Sequence, residues 1–148
     1  MLSGLMPRLR PGAPVHLLGI GDEPSMRACV PLGVDTFDSA FPTRLGRHGT
    51  LLTSRGRLHL RKAEHAAALR PADPACDCHV CRTYTLVRRG CGALTCAGGL
   101  TSPFAQAYLH HLWRAREPLL ASLAALHNTA HTLRVAATLR EDILADRV

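Results

Sequence analysis

Three cysteines fall within six positions of this 148-residue chain, at Cys76, Cys78 and Cys81. Three thiolates on one short, proline-flanked segment suit a tetrahedral zinc ion, which needs a fourth ligand from elsewhere in the chain. Spacing alone does not choose that ligand, and the possible donors are His79, Cys91, Cys96, His110, His111, His127 and His131. The even count of six cysteines also fits disulfides of a secreted domain, but the tight spacing favours a metal site.

Two carboxylates stand near the end of a short apolar segment that predicts a parallel strand. Asp35 lies within this segment, and Asp38 follows it closely. In α/β barrels the catalytic residues cluster at the C-terminal ends of the strands, whereas isolated aspartates at such places commonly cap turns. Arg44 and Arg47 come soon after, and their guanidinium groups would either pair with the carboxylates or hold phosphates beside a nucleophile. The residue types leave both interpretations open.

The charge balance is basic. Lysine and arginine total 18 against 11 acidic residues, a formal net charge of +7, and every basic residue except Lys62 is arginine. GC-rich coding would produce this bias without any function, but the planar guanidinium is also suited to phosphate. The charge therefore favours a nucleic-acid partner. A hydrophobic content of 47% argues against an unstructured polar chain, and no apolar run approaches the roughly 18–20 residues of a membrane span.

Hydrophobic periodicity and turn residues indicate which elements carry these groups. A strand, a short helix and a second strand form a βαβ unit, the repeating element of α/β folds. The helix is predicted to be capped by Asp22 and ended by Gly33. In chain order we predict a loop over 1–14, a strand over 15–20, a helix over 23–32, a strand over 34–39 leading into a loop, a hairpin over 50–60, a loop over 87–103, and helices over 104–116 and 118–145.

The segment F-D-S-A-F-P-T-R at residues 37–44 resembles the active-site motif of the tRNA-guanine transglycosylases, or queuine tRNA-ribosyltransferases. The similarity continues through most of the chain in the order of that family. It includes L-L-G-I-G at 17–21, G-V-D at 33–35, R-H-G at 47–49, D-P-A-C-D-C-H-V-C-R at 73–82, A-Y-L-H-H-L at 107–112 and L-H-N at 126–128.

The resemblance implies that guanine at the wobble position of a tRNA anticodon is exchanged for queuine or a 7-deazaguanine precursor. Asp38 matches the family's nucleophile, a carboxylate that attacks ribose C1′ and forms a covalent ribosyl-enzyme. The incoming base then attacks the same carbon, which parallels the logic of retaining glycosidases. By the same resemblance, Leu18 and Gly19 line the base pocket. The residues that read the nucleotides beside the wobble base are Thr43, Arg44 and Arg47.

The resemblance also implies one structural zinc ion per chain, held by Cys76, Cys78, Cys81 and His127. The family's fold is a (β/α)₈ barrel with a zinc-binding subdomain and C-terminal helices. We expect residues 1–70 to supply the last barrel strands, with the nucleophile and the tRNA-reading arginines. Residues 71–148 would form the zinc subdomain and the C-terminal helices, with an atypical insertion over about 85–103. That insertion is either a surface loop or a gene-model error, and its Cys91 and Cys96 could compete for zinc.

A barrel of this kind needs about 250 residues. We therefore expect this chain to be the C-terminal portion of such an enzyme, to lack the family's general acid/base aspartate, and to be inactive alone. The expected partners are a tRNA anticodon loop, the incoming base and a second subunit, in a homodimer or heterodimer away from membranes. The expected compartment is the cytoplasm, or an organelle if a transit peptide precedes this segment. The alternatives are a non-catalytic, zinc-stabilised subunit that binds tRNA or dimerises, and a small zinc protein of unrelated role.

Overall fold

The computed structural model describes residues 2–82 and 104–147. The loop predicted over 87–103 and the insertion predicted over about 85–103, with Cys91 and Cys96, lie outside those residues. The elements are α1 (Leu2–Leu5), β1 (His16–Leu17), α2 (Glu23–Cys29), β2 (Thr36–Phe37), α3 (Phe41–Arg47), β3 (Thr50–Thr53), β4 (Gly56–His59), α4 (Gln106–Ala115) and α5 (Leu119–Leu144). Short 3-10 helices cover Met6–Arg8, Val30–Leu32 and Ala63–His65.

The predicted βαβ unit is confirmed. Strands β1 and β2 pair in parallel, with His16 opposite Thr36 and Leu17 opposite Phe37, and α2 connects them. The Asp22 carboxylate accepts a hydrogen bond from the backbone N–H of Ser25 at 3.1 Å and so caps α2. Each strand is shorter than predicted. Gly19 ends the first, because its φ of +75° belongs to the left-handed region that glycine adopts without strain.

Two segments predicted to be loops contain helices. The N-terminal residues form α1 and the 3-10 helix that follows it. The segment after Ser39 forms α3, and Pro42 stands in its first turn, where proline needs no N–H donor. Helix α3 packs against α5 at a close crossing. A Cβ atom at Gly46 would lie 3.0 Å from the backbone carbon of Ala124, so this contact requires glycine.

The predicted hairpin and the two C-terminal helices are confirmed. Strands β3 and β4 pair antiparallel, with Leu51 opposite Leu58. The main core lies between this hairpin, the cysteine segment and the two helices. Its most buried side chains are Leu51, Leu60, Val80, Leu109, Leu123 and Ala124. A smaller core of Met26, Val135 and Leu139 joins α2 to the second half of α5.

These elements make a mixed α/β structure, which agrees with the predicted class. Within the described residues, the parallel sheet has two strands, so its place in a closed barrel stays a prediction, as does a domain boundary at residue 70. No helix among residues 2–82 and 104–147 is both long enough and apolar enough to span a bilayer.

Candidate metal centre and carboxylate edge

The structure brings Cys76, Cys78, Cys81 and His127 together. Their ligand atoms all lie within 4.8 Å of one another. The Nδ1 atom of His127 is 3.9, 3.5 and 3.3 Å from the three sulfurs, in chain order. Zinc–sulfur and zinc–nitrogen bonds of normal length, set at tetrahedral angles, place sulfur and nitrogen about 3.5 Å apart. The four residues therefore fit a tetrahedral zinc site.

The donor atom of His127 is fixed by the other side of its ring. His127 is fully buried on α5, and its Nε2 lies 2.7 Å from the backbone oxygen of Leu52. A carbonyl can only accept, so Nε2 carries the proton and donates it. Nδ1 then presents its lone pair to the three sulfurs. This arrangement of a metal-binding imidazole backed by a carbonyl orients the ligand and fixes its tautomer.

Two of the other possible fourth ligands have different neighbours in the described part of the chain. His110 Nδ1 is 2.6 Å from the Leu60 backbone oxygen, and His131 Nε2 is 3.7 Å from the Glu23 carboxylate. The cysteines of the cluster are free thiols, as is Cys29 in α2. The four described cysteines thus agree with the prediction of a metal cluster rather than disulfides.

The cysteine pKa values show how unfavourable three adjacent thiolates would be without a cation. A hydrogen bond from Cys81 lowers the pKa of Cys78 to about 3, and the same contact raises the pKa of Cys81. Burial raises the pKa of Cys76. The three sulfurs thus oppose one another's ionisation, since negative charge on one disfavours it on its neighbours. A bound divalent cation reverses this preference by stabilising all three thiolates.

A buried carboxylate, that of Asp73, fixes the position of the cysteine segment through hydrogen bonds. Asp73 is 1% exposed and accepts hydrogen bonds from the Ser54 backbone N–H, the Ser54 hydroxyl and the Ala75 N–H, at 2.9, 2.9 and 3.0 Å. Burial raises its pKa, but these hydrogen bonds and the Arg134 charge outweigh burial and hold the pKa below its usual value. Arg134 also donates to the Ala75 backbone oxygen at 2.8 Å. The segment that carries the cysteines is therefore tied to both the hairpin and α5.

The second site lies where β1 and β2 end. Because the strands are parallel, their C-terminal ends meet at one edge, and Asp38 lies beside Gly19 there. The Gly19 N–H donates to Asp38 Oδ1 at 3.1 Å, and His16 Nε2 lies 3.2 Å from the same oxygen. The other ring nitrogen of His16 is 2.8 Å from the Thr36 hydroxyl. The Asp38 side chain is 61% exposed, so its carboxylate is oriented and accessible.

The remaining predicted site residues lie on the segments that flank this edge in the sequence. Leu18 is 77% exposed beside Gly19. Asp35 has another role, because its carboxylate accepts the Val15 N–H at 2.7 Å. Arg44 and Arg47 project as exposed side chains from α3, three residues apart and so on one side of the helix. In the described part of the chain, neither forms an ion pair with Asp35 or Asp38. The Thr43 hydroxyl donates to the Ala40 backbone oxygen at 3.1 Å within that helix.

Sequence reasoning missed three residues that position these groups. The sequence pattern assigns His16 only to a strand. The parallel register pairs it with Thr36, two residues before Asp38. Asn128 stands out only as part of a motif. Its amide accepts the Leu52 N–H at 2.8 Å and donates to the Pro42 and Thr50 oxygens at 2.9 Å each. The third is Asp73. Asn128 could have been found from the sequence, because it is a polar residue directly after the candidate ligand His127.

Comparisons with known proteins agree with this geometry. The profile of the queuine tRNA-ribosyltransferase family matches residues 1–148. The chain is 38% identical over 148 residues to the queuine tRNA-ribosyltransferase of Protochlamydia amoebophila, covering 100% of this chain and 33% of that protein. It is 40% identical over 135 residues to the protein of the same name from Chlamydia trachomatis serovar L2, covering 91% of this chain and 31% of the relative. The Chlamydia felis protein is 39% identical over the same length.

The chain therefore spans about a third of the length of these relatives. Similarity at this level extends through both the metal centre and the carboxylate edge, since the family profile spans every residue of each. On these grounds, the chain belongs to the queuine tRNA-ribosyltransferase family.

Proposed function

We propose that this chain is the C-terminal portion of a tRNA-guanine transglycosylase and carries the nucleophile for base exchange at the wobble position. The observation that carries the proposal is the placement of Asp38. Its carboxylate lies at the C-terminal edge of a parallel strand pair, oriented by Gly19 and His16 and open to solvent. This is where an α/β barrel places its catalytic groups.

The contacts of Asp38 indicate which oxygen reacts. Within the described residues, both hydrogen bonds fall on Oδ1, so Oδ2 is the oxygen open to a substrate. In the proposed first step, Oδ2 forms a bond to ribose C1′ while the bond from C1′ to guanine N9 breaks. Guanine leaves with the electron pair and takes a proton from an acid outside this chain. The incoming base then attacks C1′ through its own ring nitrogen, gives the proton of that nitrogen to the conjugate base of the same acid, and displaces the carboxylate. Two substitutions therefore retain the configuration.

The flanking residues fit the remaining parts of the reaction. Leu18 offers an exposed apolar surface beside the nucleophile, where a planar base would lie. Thr43, Arg44 and Arg47 follow Asp38 on α3, and exposed guanidinium groups suit the phosphates and base edges of an opened anticodon loop. We assign the incoming base to queuine or a 7-deazaguanine precursor.

We further propose that Cys76, Cys78, Cys81 and His127 hold one zinc ion. Four protein ligands leave no open coordination position, so the ion serves the structure and takes no part in base exchange. It would connect the cysteine segment to α5, and α5 in turn packs against α3.

We place the protein in the cytoplasm and infer that it acts with a second subunit. A non-catalytic, tRNA-binding or dimerising subunit is the alternative function. The intact Asp38 edge favours the catalytic role.

The test supplies the parts that this chain does not contain. The remaining two thirds of the Protochlamydia amoebophila relative would be fused ahead of this chain, and incorporation of labelled guanine into tRNA measured. We expect exchange by the fusion and none by the 148-residue chain alone. Asp38→Asn should abolish exchange and the denaturant-resistant protein–tRNA adduct. Asp35→Asn is the matched control and should retain both, because the Asp35 carboxylate accepts a hydrogen bond from the Val15 N–H and none from Gly19 or His16. Exchange at the normal rate by the fusion that carries Asp38→Asn would refute the proposal.

A further inference from the structure

A basic cleft lies between the end of α3 and the end of α4. It has a volume of about 790 Å³. Its charged lining comprises the guanidinium groups of Arg47, Arg114 and Arg116 and one carboxylate, Glu117. The three arginines are exposed, and none forms an ion pair or a side-chain hydrogen bond with any residue in 2–82 or 104–147. With three guanidinium groups and one carboxylate, the cleft lining carries a net positive charge.

Arg47 joins this cleft to the carboxylate edge. It is the last residue of α3, which begins three residues after Asp38 and is about 10 Å long for its seven residues. A close contact holds α4 against the end of α3: a Cβ atom at Gly49 would lie 2.6 Å from the Trp113 ring. An RNA strand that extends from Asp38 along Arg44 and Arg47 would therefore reach Arg114 and Arg116.

The backbone shows that these arginines are not needed to end α4. The N–H groups of Arg116 and Glu117 already donate to the Trp113 and Leu112 oxygens, at 3.2 and 3.0 Å. Arg116 itself has a φ of +58°, in the left-handed region where glycine commonly ends a helix. Any side chain there carries a strain that glycine avoids. Position 116 therefore carries an arginine although the backbone at the end of α4 favours glycine.

We propose that Arg114 and Arg116 extend the tRNA-binding surface and hold phosphates of the anticodon arm beyond the nucleotides that flank the exchanged base. This inference rests on the proposed function, and it adds a second, sequence-independent part to the surface that begins at Arg44. Guanidinium groups in a cleft favour phosphate, and contacts to the backbone fix the register of an RNA without reading its bases.

The test measures binding to the isolated chain by fluorescence anisotropy. The probe is a labelled RNA hairpin with the sequence of an anticodon arm that has guanine at the wobble position. The double variant Arg114→Gln/Arg116→Gln should bind roughly tenfold more weakly. The slope of log affinity against log salt should fall by about 1.4–1.8, since each lost phosphate contact removes about 0.7–0.9. The penalty should be equal for a hairpin with a scrambled loop.

The matched control is Arg10→Gln/Arg140→Gln, which removes the same charge from two exposed arginines outside the cleft. Its binding should change less than twofold. A second variant separates binding from folding. Arg116→Gly should raise Tm by about 2–4 °C, because glycine relieves the left-handed strain, yet weaken RNA binding about threefold.

Three results would overturn the inference: equal losses in the cleft and control variants, a penalty confined to the native loop sequence, or no binding of the hairpin by the chain. The proposed function is judged separately, by base exchange in the fusion with and without the Asp38→Asn substitution. If base exchange requires Asp38 while Arg114→Gln/Arg116→Gln binds RNA as tightly as the unaltered chain, that pair of results would support the proposed function and refute the extended surface.

Discussion

The metal centre and the carboxylate edge differ in how completely this chain builds them. All four metal ligands come from described residues, are mostly buried, and are backed by the Leu52 carbonyl. Asp38, the proposed nucleophile at the edge, is largely exposed and is oriented through one of its two oxygens. The four candidate ligands are thus assembled by this chain itself, whereas under the proposed function Asp38 forms only one part of the catalytic site. We therefore expect stability to depend mainly on the candidate metal centre and chemistry on the carboxylate edge, and the following predictions test this division.

Removing the metal should have the largest effect. Structural zinc sites contribute on the order of 10 kcal/mol to folding at neutral pH. Cys81→Ser, or treatment with a strong chelator, should therefore abolish cooperative unfolding as followed by circular dichroism. Zinc content by mass spectrometry should fall from one ion per chain to none in Cys81→Ser.

Cys29→Ser is the control, since Cys29 is a buried cysteine outside the cluster. It should retain one zinc ion and a cooperative transition. An unchanged melting curve for the metal-free chain would mean that the metal centre does not stabilise the fold.

Asn128→Ala should have the next largest effect. It leaves the Leu52 N–H and the Pro42 and Thr50 carbonyls without their partner. We expect a loss of about 2–4 kcal/mol in the free energy of unfolding, measured in urea. Zinc should still bind, because His127 keeps its own hydrogen bond. Thr129→Ala, at the exposed neighbouring position, should change stability by less than about 0.5 kcal/mol. A similar loss in both variants would show that Asn128 has no special role.

His16→Gln tests the carboxylate edge. Its effect should appear in the rate of base exchange by the fusion rather than in stability. Losing one oriented contact to Asp38 Oδ1 should lower kcat roughly fivefold, a cost of about 1 kcal/mol, with little change in KM for tRNA. An unaltered kcat would show that Gly19 alone orients the carboxylate.

The smallest effect concerns His131, which lies on α5 one turn beyond the metal ligand. Burial lowers the pKa of His131 below its usual 6.5, Arg134 and His127 lower it further, and Glu23 and Asp73 oppose them. The unfolded chain therefore binds a proton at His131 before the folded chain does. This contribution to stability is complete above pH 6.5 and is lost as pH falls through the pKa of the folded state. His131→Gln should flatten the dependence of Tm on pH as the pH falls below 6.5. An identical slope in both proteins would contradict this assignment.

Sequence reasoning was most accurate where local chemistry decides the structure. The βαβ unit, the Asp22 cap and both long helices follow from periodicity and capping residues. The three cysteines of the metal cluster follow from their spacing. The fourth ligand does not, because His127 is 46 residues from Cys81 and only packing of α5 against the hairpin brings them together. There the resemblance supplied the ligand, and the geometry agrees with it.

Other features were beyond sequence patterns for physical reasons. Helix α3 is seven residues long and contains a proline and a glycine, so its own propensity is poor. Contact with α5 and the hydrogen bond from Asn128 to Pro42 stabilise it instead. The His16 contact with Asp38 depends on the register of a two-residue parallel ladder, which alternation in single strands does not specify.

Gly46 links the position of α3, beside the carboxylate edge, to that of α5, which carries His127. Because a lone hydrogen atom separates the backbones there, the short helix that presents Arg44 and Arg47 shares its position with the long helix that carries His127. Any side chain larger than hydrogen would push α3 away from α5 and displace those guanidinium groups, even with Asp38 and the four candidate metal ligands unaltered. Under the proposed function, we then expect weaker recognition of the anticodon loop although neither centre has changed.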